Sequence, residues 1–294
     1  MAQSGGDCLP EDIEAEFDEA VAHIVADETD VDIVEAKRSI SELDDDGQEA
    51  AVSLIDKQGA DGIELVDEAS SLANDRGLSD SQTSDLVEAY DEADGVTDRP
   101  GETGPSAVQE RLDEFSTRNG DGERVNGVER SMKSVSGDET GFTEIAAETR
   151  IADDALNADS VGKGDIHLQR NIDSSEVPNS LSKDSSEVDV NLDSEITIDG
   201  ETVDSPALES KNLNADSYSD SFIENVWTER VSKKFAAQAG AGKDEIVLVV
   251  PDEFNNRFGD ELATIPSKVE RRLNNAGVSA DPTVRITTYD NVGS

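Results

Sequence analysis

The 294 residues include one cysteine, two histidines, one tryptophan and very few bases, and each scarcity closes off a class of chemistry. Cys8 has no partner for an internal disulfide or a thiolate zinc site, so neither can staple the fold. His23 and His167 stand without the Ser, Cys or second His that a nucleophilic constellation needs, and each reads as solvent-facing or structural. Lys plus Arg number 24 against 69 Asp plus Glu, a net charge of −45, which excludes a whole-chain basic surface for gripping phosphates. Apolar runs are short, so no segment is expected to span a bilayer. The opening MAQSGGDCLPEDIEAEFDE has neither a positive start nor an apolar stretch. The expected location is therefore the cytoplasm of a high-salt cell, with any export by a route that needs no amino-terminal signal. No Walker A loop, GxGxxG or GxSxG is present. AGAGK at 239–243 follows a helical pattern and precedes a strand, so it reads as a helix C-cap turn.

What remains is enough for roughly two domains, with 34% apolar residues for a modest core. So large an acidic excess means either disorder or a folded surface adapted to molar salt, where repulsion is screened. The acids stand in place of Lys rather than of apolar residues, and apolar periodicity persists along most of the chain; both favour the halophilic reading. The charge is uneven. Residues 1–100 carry 30 acids and 5 bases, residues 101–208 carry 25 and 9, and residues 209–294 carry 14 and 10. Bases kept in the last segment suit an approaching polyanion, or else pairing with neighbouring acids on helices.

Residues 11–26 place Ile13, Phe17, Ala20, Val21, Ile24 and Val25 at helical spacing, and further helices are predicted at 31–43, 47–58, 61–74 and 80–93. Thr29 or Asp30, Asp46 and Ser79 read as N-caps, with Gly59 and Gly77 at helix ends. Asp44 to Asp46 lack the alternating ligands of a calcium loop and read as a helix start. Polar stretches at 93–105 and 117–127 read as linkers around a short helix at 106–116. The expected organisation is an acidic helical domain at 1–93, a linker with a short helix at 94–140, and an α/β domain at 141–294. In the last, a helix at 142–156 leads to an extended segment near 165–172. After a polar Ser/Asp-rich loop come three alternating stretches, at 187–192, at 195–203 with an Asp199-Gly200 hairpin turn, and at 207–213. A helix at 219–239 with Phe222, Val226, Val231 and Phe235 inward, a buried strand at 245–251, a helix at 257–276 and a strand at 283–289 complete the order α, β, β, β, α, β, α, β.

One strand ends Glu209-Ser210-Lys211. Alternation along a strand projects Glu209 and Lys211 together, while Ser210 points away and offers its backbone carbonyl. Asp189 lies between valines on an earlier strand, where an unpaired buried carboxylate would be costly and a metal ion would remove the cost. SSEVDV and LESKN in this element order resemble the hallmark segments of the PD-(D/E)xK nuclease superfamily, over about residues 141–252. The resemblance implies a restriction-endonuclease-like αβββαβ domain binding Mg²⁺ or Mn²⁺. Asp189 and Glu209 would be metal ligands, with the Ser210 carbonyl and Glu144 or Glu148 of the first helix completing the site, and Lys211 would orient or deprotonate a water. No Pro precedes Asp189 and the span to Glu209 is longer than in compact members, so Asp193 is a rival first ligand. Gln238 would contact substrate, and Arg230, Lys233 and Lys234, on one face of the same helix, would hold the backbone or else pair with Glu229 or Asp220.

The layout, an acidic helical leader before a nuclease-like module, is similar to that of polymorphic toxins and nuclease effectors, which implies a nucleic acid substrate and an inhibitor or immunity protein as partner. The expectation is a metal-dependent nuclease acting on DNA or RNA. The competing expectation is a non-catalytic acidic binding or structural protein of a halophile, and a phosphatase-like hydrolase using the same acids is a third reading without positive support.

Overall fold

A computed structural model of the chain describes residues 9–24, 33–93, 104–118, 122–158, 160–173, 175–181 and 187–294. Cys8, Val25, the expected caps Thr29 and Asp30, and parts of the expected linkers and of the Ser/Asp-rich loop lie outside the described residues, as does the side chain of His23. Two compact units result, Met1–Glu114 with Glu129–Ala146, and Phe115–Val128 with Ala147–Ser294. No helix among the described residues is long and apolar enough to cross a membrane.

The first unit is helical. It begins with α1 (Glu11–Ile24), α2 (Ile33–Ser41), α3 (Asp45–Gln58), α4 (Ala60–Asp75) and α5 (Asp80–Glu92). The predicted periodicity sets their packing, with Phe17, Ile40, Leu54, Ile55, Val66 and Leu86 fully buried or nearly so. The N-cap of α3 is Asp44 rather than Asp46. Asp44 is extended at φ −76° and accepts the Gly47 N–H at 3.1 Å, so the helix starts two residues before the expected position. Ser79 caps α5 as predicted, in a capping box with Gln82. Gly59 closes α3 at φ 66° and Gly77 follows α4 at φ 69°. Helices α6 (Pro105–Ser116) and α7 (Val128–Lys133) follow, belonging mainly to this unit, and α8 (Glu139–Leu156) runs from this unit into the second after Ala146. Within the first unit Val108, Leu112, Met132 and Phe142 are buried, and Tyr90 meets Phe142 edge to face and donates its hydroxyl to Gln109 Oε1 at 3.0 Å.

The second unit holds a five-stranded mixed sheet. Its members are β1 (Ile166–Asn171), β2 (Glu187–Leu192), β5 (Ala207–Ser210), β6 (Glu245–Val250) and β7 (Thr283–Thr288), in the order β1-β2-β5-β6-β7. β1 pairs antiparallel with β2 and β2 with β5, while β5, β6 and β7 are parallel. Residues 195–203 are not a strand of this sheet, as the alternation had suggested. They open a separate hairpin, β3 (Glu195–Ile198) and β4 (Glu201–Asp204), turning on Asp199 and Gly200 at φ 53° and 75°. Two positive φ values in a two-residue loop give the twist that suits a tight hairpin. β1 takes the vacated place beside β2, and β6, an interior strand between β5 and β7, is buried from Ile246 to Val250 as its unbroken apolar run predicts.

Between β5 and β6 the chain passes through α9 (Asp220–Phe222), a π-helical turn (Ile223–Trp227) and α10 (Thr228–Gly240). The wide turn shifts the inward stripe, so Ile223 and Trp227 are buried where Phe222 and Val226 were expected, and Val231 and Phe235 remain inward. The helix ends in the predicted cap turn, with Gly242 at φ 91°. The helix expected at 257–276 is two helices, α11 (Asp252–Leu262) and α12 (Ile265–Ala276), divided because Pro266 belongs in a first turn, where its missing N–H is harmless.

Candidate active site

Strand pairing brings Asp189 and Glu209 together. β2 and β5 run antiparallel with Val190 opposite Leu208, which sets Asp189 across from Glu209. Asp189 is 7% exposed and Glu209 has no exposed surface. Lys211, just past the end of β5, places Nζ 3.2 Å from Asp189 Oδ2 and 3.8 Å from Glu209 Oε2. Acid and base of the E-x-K segment thus share a side, as alternation predicts. Ser210 donates its amide to Asp189 Oδ2 at 2.9 Å and its hydroxyl at 3.4 Å, fixing that carboxylate across the strand end.

The helix above supplies two more polar groups. Lys234 and Gln238 are four residues apart on α10 and therefore share its inward side. Lys234 Nζ donates to Asp189 Oδ1 at 3.1 Å and also contacts Glu209 Oε2. Gln238 Nε2 donates to Glu209 Oε1 at 2.5 Å and to the Glu187 carbonyl at 3.1 Å. Glu209 Oε2 takes its two ammoniums as ion pairs without an aligned hydrogen bond, and Gln238 Oε1 is buried with no donor. The result is a quartet of two carboxylates and two ammoniums, with the acids innermost and the lysines partly open to solvent.

The quartet divides the two acids. Burial pushes Asp189 up, but Lys211 and Lys234 together outweigh it and hold its carboxyl well below the usual range. Burial and then the charge of Asp189 push Glu209 up to about 7, with the lysines offsetting only part. Burial alone would lower both lysines, yet the paired acids raise Lys211 and Lys234 above the ordinary ammonium value.

The other predicted site residues lie apart from this quartet in their contacts. Asp193, beyond the end of β2, accepts from His167 at 2.8 Å, Arg170 at 2.9 Å and Asn191 at 3.0 Å. Burial pushes its carboxyl up, and His167 and Arg170 outweigh that and hold it low. Glu148 is buried on α8 and accepts from Gln169 Nε2 at 3.0 and 3.2 Å, while Glu144 is exposed. Lys233 lines a cavity of about 360 Å³ with Arg272, Asn275 and Ser180, and Arg230 is exposed. Glu229 pairs with Lys268, Arg271 and Arg272 of α12, and Asp220 with Arg257, so neither acid neutralises α10's own bases as local spacing had allowed. Seven of the ten bases after residue 208 form ion pairs within the chain, and Arg230 and Lys233 form none among the described residues.

Sequence reasoning grouped Lys234 with Arg230 and Lys233 as a backbone clamp. The signal that could have separated it was the four-residue step to Gln238, which marks the two as one inward stripe. Compared with known protein families, with curated proteins and with solved structures, the chain matches none.

Proposed function

We propose that the second unit is a metal-dependent nuclease that hydrolyses phosphodiester bonds in DNA or RNA. The observation that carries the reading is the convergence of Asp189, Glu209 and Lys211, from two strands about twenty residues apart, on one partly open cluster roofed by α10. The strand order lends support. With the β3–β4 hairpin set aside, the chain runs from α8 through β1, β2 and β5 to α10 and β6, which is the αβββαβ order of the PD-(D/E)xK superfamily. In that scheme the acid lies on the second strand and E-x-K on the third, and the inserted hairpin accounts for the long span from Asp189 to Glu209.

The donors suit a hard cation. Asp189 and Glu209 offer carboxylate oxygens that already sit against positive charge, and the buried Gln238 Oε1 without a donor adds an oxygen nearby. No group of three or more His, Cys, Asp or Glu side chains suited to a metal occurs among the described residues, so the backbone carbonyl of Ser210 and waters would complete the shell. Mg²⁺ or Mn²⁺ held there would polarise the phosphodiester and acidify a water.

The chain's own groups do the rest. Ser210 and Gln238 lock the rotamers of Asp189 and Glu209 through bonds at 2.9 and 2.5 Å. Lys211, its side chain 33% exposed, is the open ammonium of the quartet, placed to offset charge on the scissile phosphate and orient the attacking water. Arg230 and Lys233, exposed on α10, would hold flanking phosphates. An inhibitor protein as partner, and a toxin or effector role, belong to this same proposal.

The test is cleavage of labelled DNA and RNA by purified protein in molar salt with Mg²⁺ or Mn²⁺, beside Glu209→Ala and Lys211→Ala. Each substitution is expected to reduce the rate by at least about a hundredfold, the order that removing one positioned acid–base or charge-stabilising group typically costs. Undiminished cleavage by either variant would falsify the assignment. The second reading, a non-catalytic binding protein, is favoured by the closed charge balance of the quartet, which needs no metal to satisfy its acids. It predicts no cleavage by the wild type.

A further inference from the structure

The E-x-K segment supplies one lysine, yet the cluster contains two. Lys211 approaches Asp189 through Oδ2 and lies 3.8 Å from Glu209. Lys234, from the helix, takes the other Asp189 oxygen, Oδ1, at 3.1 Å and contacts Glu209 Oε2 as well. A single ammonium therefore bridges both carboxylates on which the proposed ion depends. Two buried carboxylates this close repel strongly, and each is costly to bury uncompensated, so whenever both are ionised something positive must lie between them.

We propose that Lys234 is the resident counter-cation of this site: its ammonium bridges Asp189 and Glu209 until a divalent ion enters, and is then displaced onto the phosphate of the substrate. The inference rests on the nuclease reading and adds a coupling between metal loading and phosphate capture. An ammonium and a divalent cation cannot share the same two oxygens, because like charges a few ångströms apart in a poorly solvated site repel by far more than thermal energy. The helix itself need not move. Val231, Phe235 and Ala236 anchor α10 in the core, and Gln238 one turn on holds Glu209, so only the four-carbon stem of Lys234 must swing. Its side chain is 20% exposed, so its path to the surface is open.

The test compares the full-length wild type with Lys234→Met, which keeps length and removes charge, and with Lys234→Arg, whose planar fork holds carboxylates more firmly. Titration calorimetry with Mn²⁺ in molar salt measures the ion alone. Loss of the competitor is expected to tighten Mn²⁺ binding in Lys234→Met by at least about tenfold, with a larger rise in melting temperature on adding Mn²⁺ than the wild type gives. Lys234→Arg is expected to bind Mn²⁺ more weakly than the wild type, which keeps the idea testable should the Met variant fail to fold. In Ca²⁺, the Met variant is expected to bind a fluorescent oligonucleotide less tightly than the wild type, since the displaced ammonium is gone. Mn²⁺ binding that is unchanged or weaker in Lys234→Met, or unchanged or tighter in Lys234→Arg, overturns the proposal. If the wild type still cleaves nucleic acid in that case, the nuclease reading survives; a wild type that neither binds Mn²⁺ nor cleaves brings down both.

Discussion

Glu209 has no solvent-exposed surface and faces Asp189 across two strands, and that combination gives it an unusual dependence on pH. Its carboxyl is raised to about 7, above the ordinary 4.5, so between those values the folded chain holds a proton that the unfolded chain releases. Stability then falls as pH rises through that window. Asp189 acts with the opposite sign. Its carboxyl is depressed, so its contribution is present above its ordinary 3.8 and is lost only as the solution becomes more acid. In metal-free protein, Glu209→Gln is therefore expected to flatten the decline in stability between about pH 4.5 and 7, as measured by urea unfolding in molar salt; a decline as steep as in the wild type would show that another group is responsible. Both acids were legible as candidates, Asp189 from its flanking valines and Glu209 from E-x-K. That they share one bridging ammonium from α10 was not legible, because helix phase relative to a strand depends on packing.

At the scale of elements, two local irregularities change what the sequence pattern says. The π-helical turn at 223–227 advances the inward stripe by one residue, so a strict 3.6-residue count from Phe222 picks the wrong side chains upstream of Val231. The hairpin at 195–204 has the same alternation as the sheet strands but joins no strand of that sheet, meeting only Val292 through an isolated bridge at Ile198, as alternation reports a half-buried strand and not its partner. Close approach of two helices is a separate feature, in the first unit. A Cβ on Gly62 of α4 would lie 2.7 Å from the Leu54 carbonyl oxygen of α3, where backbone cannot give way cheaply. Gly62→Ala is expected to cost about 1–3 kcal/mol through this overlap, although alanine is the better helix former. Chemical denaturation checks it, and a stabilised variant would show that the two helices can separate without loss.

For the whole molecule, the net charge of −45 sets the conditions under which the fold is stable. Repulsion among exposed carboxylates is screened over roughly 10 Å at 0.1 M salt but over only about 3 Å at 1 M. The melting temperature is expected to rise steadily with KCl into the molar range, and by more than for a protein of balanced charge. A salt-independent transition would remove the halophilic reading. The same screening bears on the proposed activity. A polyanion would meet a repulsive surface at low salt, so cleavage should be measured at salt high enough to suppress that field yet with Arg230 and Lys233 still in short-range contact.

The sequence by itself determined most of the helical and sheet segments, the acidic excess, the Asp199-Gly200 turn, the buried strand at 245–250 and the candidacy of Asp189, Glu209 and Lys211, since each is written in local spacing or composition. Tertiary structure alone decided which strands are neighbours, that Asp193 bonds with His167 and Arg170 away from the quartet, and that Lys234 and Gln238 turn inward. Those outcomes depend on pairing register and helix phase, which are set by contacts between residues far apart along the chain, and no local pattern encodes them.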